Sequence, residues 1–205
     1  MNNAYSRVTA ITRRPLDLTH PKLENAVIDF EHLEKEIGDV KSDHIFCCLG
    51  TTIKKAGSQG AFRKVDFSYP LQLAKIGAGN GASQFLLISA MGANPQSRLF
   101  YNRVKGEVEE AVSKIDVYGI QIFRPSLLLG RREEFRLGEK LGEFFMGVFS
   151  PLMIGNLRKY RPIRAKDVAR GMVEIAKTEL KGVNIFESDK IQFLCDRLKQ
   201  KESHE

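Results

Sequence analysis

Gln84-Phe85-Leu86-Leu87-Ile88-Ser89-Ala90 reads as a buried strand, apolar from Phe85 to Ile88 and closed by a hydroxyl, and Leu99 to Ile115 follows it with Val104, Val108, Ala111, Val112 and Ile115 at helical spacing. Gly119 to Phe123 then reads as a strand that runs into Arg124-Pro125. A strand apolar on both faces, an amphipathic helix with Glu and Lys on its outer side, and a second such strand read as one parallel β-α-β unit. The alternation continues outward in both directions. Upstream, Ser6 to Thr12 is a β-rich run closed by Arg13-Arg14-Pro15, and Asn25 to Phe30 leads into the helix-favouring His32 to Ile37. Asp43 to Leu49 is apolar and ends in Gly50-Thr51-Thr52, and Phe62 to Ile76 has helical spacing with Gly77 as its stop. Downstream come helical patterns over 139–149 and 165–178, a short strand over 183–186 and a charged tail over 190–205.

This order predicts an α/β fold, a doubly wound parallel sheet of Rossmann-like type with helices on both faces, in one domain over 1–205. The poorly patterned segment 131–160 reads as a substrate-side insertion. In such sheets ligands bind outside the carboxyl ends of the strands. The candidate positions are therefore Arg13 and Arg14, Asp29 and Phe30, Gly50-Thr51-Thr52, Ser89-Ala90, and Arg124-Pro125-Ser126.

Composition narrows the function. With 42% hydrophobic and 28% charged residues the chain is neither disordered nor fibrous. The formal charge of +7 invites a search for a phosphate-tracking stripe, but Arg13-Arg14, Lys54-Lys55 and Arg131-Arg132 are isolated doublets without interleaved aromatics, so no nucleic-acid partner is expected. Cys47, Cys48 and Cys195 are odd in number and lack C-x-x-C spacing, which predicts reduced thiols in the cytoplasm. His20, His32, His44 and His204 have no ligand spacing, and no metal is expected. The longest apolar run, Phe144 to Leu157, is broken by Pro151 and too short to cross a bilayer, so no membrane span is expected. Within it, Phe144 to Phe149 reads as a core-facing or dimer-facing helix end. No G-x-S-x-G occurs, which removes the usual serine-hydrolase elbow.

Tyr101-Asn102-Arg103-Val104-Lys105 sets a phenol and an ammonium at i and i+4 on the strongest helix. A cation beside a phenol favours the phenolate and suits it to proton transfer. Ser89 ends the preceding strand, where its hydroxyl is expected to meet the phenol and hold a substrate oxygen. Taken alone, the Tyr–Lys pair is equally readable as a helix-surface contact, and Ser89 as a serine bonding its own loop.

The runs Leu86-Leu87-Ile88-Ser89-Ala90-Met91-Gly92-Ala93, Tyr101-x-x-x-Lys105-Gly106-Glu107-Val108-Glu109 and Phe123-Arg124-Pro125-Ser126-Leu127-Leu128-Leu129-Gly130 together resemble the atypical short-chain dehydrogenase/reductases, within them the oxidoreductase-like Tat-interacting group. Cys48-Leu49-Gly50-Thr51-Thr52, Arg161-Pro162-Ile163 and Asp167-Val168-Ala169 fit the same pattern, so the likeness covers nearly the whole chain. The resemblance implies an NAD(P)-binding Rossmann fold with Ser89, Tyr101 and Lys105 as catalytic residues. It also implies that Leu49, Gly50 and Thr51 line the cofactor crevice, Asp29 and Phe30 lie by the adenine, Lys105 binds a ribose, and Pro125 and Ser126 approach the nicotinamide. Arg13 and Arg14, at the strand end that normally chooses the cofactor, favour NADP(H) over NAD(H), since arginine accommodates a 2′-phosphate.

That family's first strand and glycine-rich turn have no counterpart ahead of Ser6, and the chain is expected to lack its first β-α unit, as a shortened or truncated form. Gly77-Ala78-Gly79-Asn80-Gly81 follows a helix and precedes a strand, the reverse of a phosphate-binding turn, and reads as a helix stop and loop. Without the unit, either the strand over 6–12 pairs with the one ending at Leu49 or a slot stays open between them. The expected function is hydride transfer to or from a carbonyl or alcohol of a small-molecule substrate, with epimerase or isomerase chemistry open to the same residues. The alternatives are a non-catalytic dinucleotide-responsive protein, acting alone, as a homodimer or on a protein partner, and a non-binding remnant.

Overall fold

Alternation along the strands sorts the core into two halves. In the computed structural model, which describes residues 3–129 and 155–202, the strands are β1 (Val8–Thr12), β2 (Leu23–Val27), β3 (His44–Cys47), β4 (Gln84–Ile88), β5 (Gly119–Arg124), β6 (Leu128–Leu129), β7 (Ile163–Arg164) and β8 (Gly182–Glu187). The helices are α1 (Leu33–Ile37), α2 (Ile53–Ala56), α3 (Gln59–Arg63), α4 (Tyr69–Gly79), α5 (Phe100–Val112), α6 (Ala165–Ala176) and α7 (Ser188–Glu202). A four-stranded sheet runs β3-β4-β5-β8, parallel throughout. From it Phe85, Leu87, Ile120 and Ile122 pack with Leu33 and Ile37 of α1, Leu73 of α4, and Val108 and Val112 of α5. Leu86 and Phe123 point the other way, onto Val168, Met172 and Ile175 of α6 and Ile191 of α7. Period-2 alternation thus feeds two cores from the same strands, as a doubly wound α/β fold requires.

β1 and β2 pair in parallel as a separate two-stranded sheet, in register from Val8 opposite Leu23 to Thr12 opposite Val27. β1 does not pair with β3, so of the two arrangements expected for these strands the direct pairing is not formed. Tyr5 contacts β3 instead. Its ring stands edge-on to His44 and Phe46, and its hydroxyl lies 2.9 Å from His44 Nδ1. His44 Nε2 in turn lies 2.6 Å from Glu179 Oε1. Burial raises the Glu179 carboxyl, but hydrogen bonds from His44, Ser83 and Gln84 outweigh it and hold the group below the ordinary carboxylate range.

Three sequence expectations are corrected here. The helix expected over Phe62 to Ile76 is a continuous run of α3, a π-helical segment Lys64–Ser68, and α4. Gly77 is not its stop: the helix continues to Gly79, and a Cβ on Gly77 would stand 2.2 Å from Ile45 Cδ1, so the glycine lets α4 press onto β3. The expected tail over 190–205 is helical as far as Glu202, and α7 buries Ile191 and Cys195 against the second core. The helix expected over 139–149 and most of the insertion 131–160 lie outside the described residues.

Candidate active site

Because β4 runs up to Ser89 and the chain then loops into α5, the first turn of α5 sits at the carboxyl end of the sheet. Tyr101 is there, 39% exposed, with its ring tilted against Phe62 at 5.7 Å between centroids. Lys105, one turn further on, is 4% exposed. Its Nζ lies 2.8 Å from Asp66 Oδ1, and Asp66, in the π-helical segment, is 1% exposed. The other carboxylate oxygen of Asp66 accepts the backbone N–H of Thr51 at 2.8 Å. One buried carboxylate therefore joins the lysine of α5 to the Gly50-Thr51 turn after β3. Ammonium and carboxylate, both buried, offset each other's loss of water here.

The expected meeting of Ser89 with Tyr101 is not made. Ser89 follows Leu87 by two residues, so it faces α5 from inside the sheet, and its Oγ donates to Glu109 Oε1. The Arg124 guanidinium grips the same carboxylate, with Nε 3.0 Å from Oε1 and Nη2 2.5 Å from Oε2. This hydrogen bonding to Glu109 outweighs burial and raises the Arg124 pKa further. Ser89 is 4% and Glu109 5% exposed, so the hydroxyl serves a buried Ser–Glu–Arg cluster beneath the site mouth.

The remaining candidates divide by direction. Arg13 and Arg14 are exposed just beyond β1. Asp29 is exposed and caps the following turn through Glu31 N–H at 3.0 Å. Phe30 points inward, 4% exposed and tilted on Tyr69, so of that pair only Asp29 faces solvent. Leu49 packs partly on the first core, whereas Gly50 is exposed. Pro125 is buried and its carbonyl accepts Met91 N–H at 3.1 Å. Ser126 donates to the Arg161 carbonyl and lies 3.0 Å from Ser188 Oγ, which fixes the β5 exit to α7. Sequence reading passed over Asp66 and placed Glu109 on an outer polar face. The available signal was the lone carboxylate between apolar neighbours in Val65-Asp66-Phe67, whereas Glu109, within Glu107-Val108-Glu109-Glu110, gave none.

A parallel sheet clothed by helices on both faces, with its polar cluster at the carboxyl ends, is the Rossmann-like class. Solved structures share it: MoeE5 in complex with UDP-glucose and NAD superposes with a TM-score of 0.63 at 11% identity, covering 95% of this chain and 74% of that one. The Bordetella bronchiseptica enzyme WbmH in complex with NAD+ gives 0.65 at 16%, covering 96% and 73%. The Helicobacter pylori ADP-L-glycero-D-manno-heptose-6-epimerase gives 0.64 at 15%, covering 95% and 73%. Among sequence relatives, the rat protein HTATIP2 is 40% identical over 149 residues, 71% of this chain and 61% of the rat protein. The Candida albicans mitochondrial protein FMP52 is 31% identical over 194 residues, 92% of this chain and 82% of its own length. The chain belongs to the HTATIP2/FMP52 family of atypical short-chain dehydrogenase/reductase proteins. No protein-family profile matches it.

Proposed function

We propose that the protein is an NADP(H)-preferring oxidoreductase of the short-chain type, in which Tyr101 gives or takes the proton of a carbonyl or alcohol substrate. The observation that carries this reading is an exposed phenol at the carboxyl end of the sheet, one helical turn from a buried lysine paired with Asp66. The residues fit a dinucleotide at both ends: Arg13 and Arg14 stand open to a 2′-phosphate, and Lys105 and the Gly50-Thr51 turn lie together beside Tyr101. When bound, the nicotinamide supplies the hydride. Tyr101 does the acid–base work, and Phe62 fixes its ring. Ser89 holds a substrate oxygen only by rotating away from Glu109, exchanging one hydrogen bond for another.

One observation favours a second reading, a dinucleotide-responsive protein without turnover. Ser89 and Lys105 are both committed to buried carboxylates, so the resting site offers the phenol alone. Tyr101→Phe separates the two readings. Under the first, turnover with NADPH and a carbonyl substrate falls by about 100-fold or more while NADPH affinity holds. Under the second, wild type shows no turnover and the variant binds a protein partner as wild type does. The FMP52 relatives are named mitochondrial. Cys47, Cys48 and Cys195 form no disulfide among the described residues, which suits a reducing compartment, and the cytoplasm is the compartment proposed.

A further inference from the structure

We propose that Asp66 is a positioning residue for the Tyr101–Lys105 pair: its carboxylate masks the Lys105 charge from the phenol and fastens the ammonium to the Gly50-Thr51 turn. The inference rests on the reading of Tyr101 as the proton-transfer group. Two rungs join the same pair of helical runs. Phe62 meets Tyr101 ring to ring, and Asp66, four residues on, meets Lys105, itself four residues beyond Tyr101. The Asp66 rung lies in the π-helical segment, a geometry that recurs where a side chain is aimed for function. Phe62 is fully buried, so the two runs are locked at the first rung and the second inherits its register.

The charges around the pair leave Asp66 as its counterion. From α3 and the π segment, Arg63 is taken by Glu107, and Lys64 by Glu31 at 2.5 Å. From β3, burial pushes the Cys47 thiol up to about 12, so it stays neutral. From β5, Arg124 is bound to Glu109. On α5 itself, Arg103 donates to the Ser97 carbonyl at 3.0 Å, facing the loop before the helix. A lone ammonium one turn away would pull the phenol toward phenolate, but an ammonium with a carboxylate 2.8 Å from it presents only a dipole. The phenol therefore meets the full lysine charge only once the pair is loosened, and a ligand that draws Lys105 toward a ribose hydroxyl loosens it. Proton release from the phenol is in this way tied to occupancy of the crevice.

The test is the phenol titration of Tyr101, followed by phenolate absorbance as the difference between each protein and its Tyr101→Phe counterpart, without cofactor or substrate. Asp66→Asn, which unmasks Lys105, is expected to lower the midpoint by about one pH unit or more. The double variant Asp66→Asn/Lys105→Met removes both charges together and is expected to titrate within about 0.3 units of wild type, the pair having been neutral to the phenol. An unchanged or raised midpoint in Asp66→Asn overturns the proposal. Should that variant not fold, the double variant decides alone, because a midpoint a unit or more above wild type means that Lys105 was never masked. No turnover enters this measurement, so its failure is distinct from that of the enzymatic reading, which Tyr101→Phe tests.

Discussion

Gly106→Ala is expected to destabilise the protein by about 2 to 3 kcal/mol, although the same change inside an ordinary helix stabilises by up to about 1 kcal/mol. The sign reverses because of what the helix rests on. A Cβ at Gly106 would stand 2.2 Å from Pro95 N, 2.3 Å from Asn94 C and 2.6 Å from Asn94 N. These are backbone atoms, and they cannot swing aside as a side chain can. The loop is also pinned, since Asn94 N–H donates to the Asn102 carbonyl at 3.0 Å, and Gly92 takes a φ of 80° that other residues resist. Relief requires α5 to lift off the loop, and Tyr101 and Lys105 move with it. Urea denaturation measures the change, with the midpoint falling at constant slope. A more stable Gly106→Ala protein would mean that α5 and the Asn94-Pro95 loop do not touch.

Glu109→Ala is expected to cost about 3 kcal/mol, the low end for breaking a buried ion pair, because the Arg124 side chain is 21% exposed and water can recover part of the loss. The change strips Arg124 of its bidentate partner and Ser89 of its acceptor in one step. Among the described residues Arg124 then keeps Glu187, at 3.7 Å. Glu109→Gln, which retains an acceptor for Ser89, should lose less. Denaturant melts of both variants check the order; a loss below about 0.5 kcal/mol for the alanine would show the cluster to be solvated.

The strands and helices around β4, α5 and β5 were legible because their signals are local: apolar runs of strand length, and valines at helical spacing. What escaped the sequence was every feature set by a distant partner. Lys105 and Glu109 count as polar in any periodicity, and their burial depends on Asp66 and Arg124, which are close only in the fold. Gly77 looked like a stop because glycine ends helices, and the approach of Ile45 that requires it there is tertiary. α7 hid in a charged segment whose Ile191 and Cys195 are too sparse to stand out. The orientation of Ser89 was readable from strand alternation alone. What alternation could not show is that Glu109, further along the helix that carries Tyr101, takes its hydroxyl.

The central claim, that this chain holds a dinucleotide between its strand ends and α5, is tested most directly by thermal melts under titration with NADPH and with NADH. A ligand that binds only the folded chain raises its stability by about 2.7 kcal/mol at a hundredfold excess over its Kd. A saturable rise in Tm is expected with both cofactors, larger with NADPH. No shift with either cofactor at millimolar concentration would contradict it.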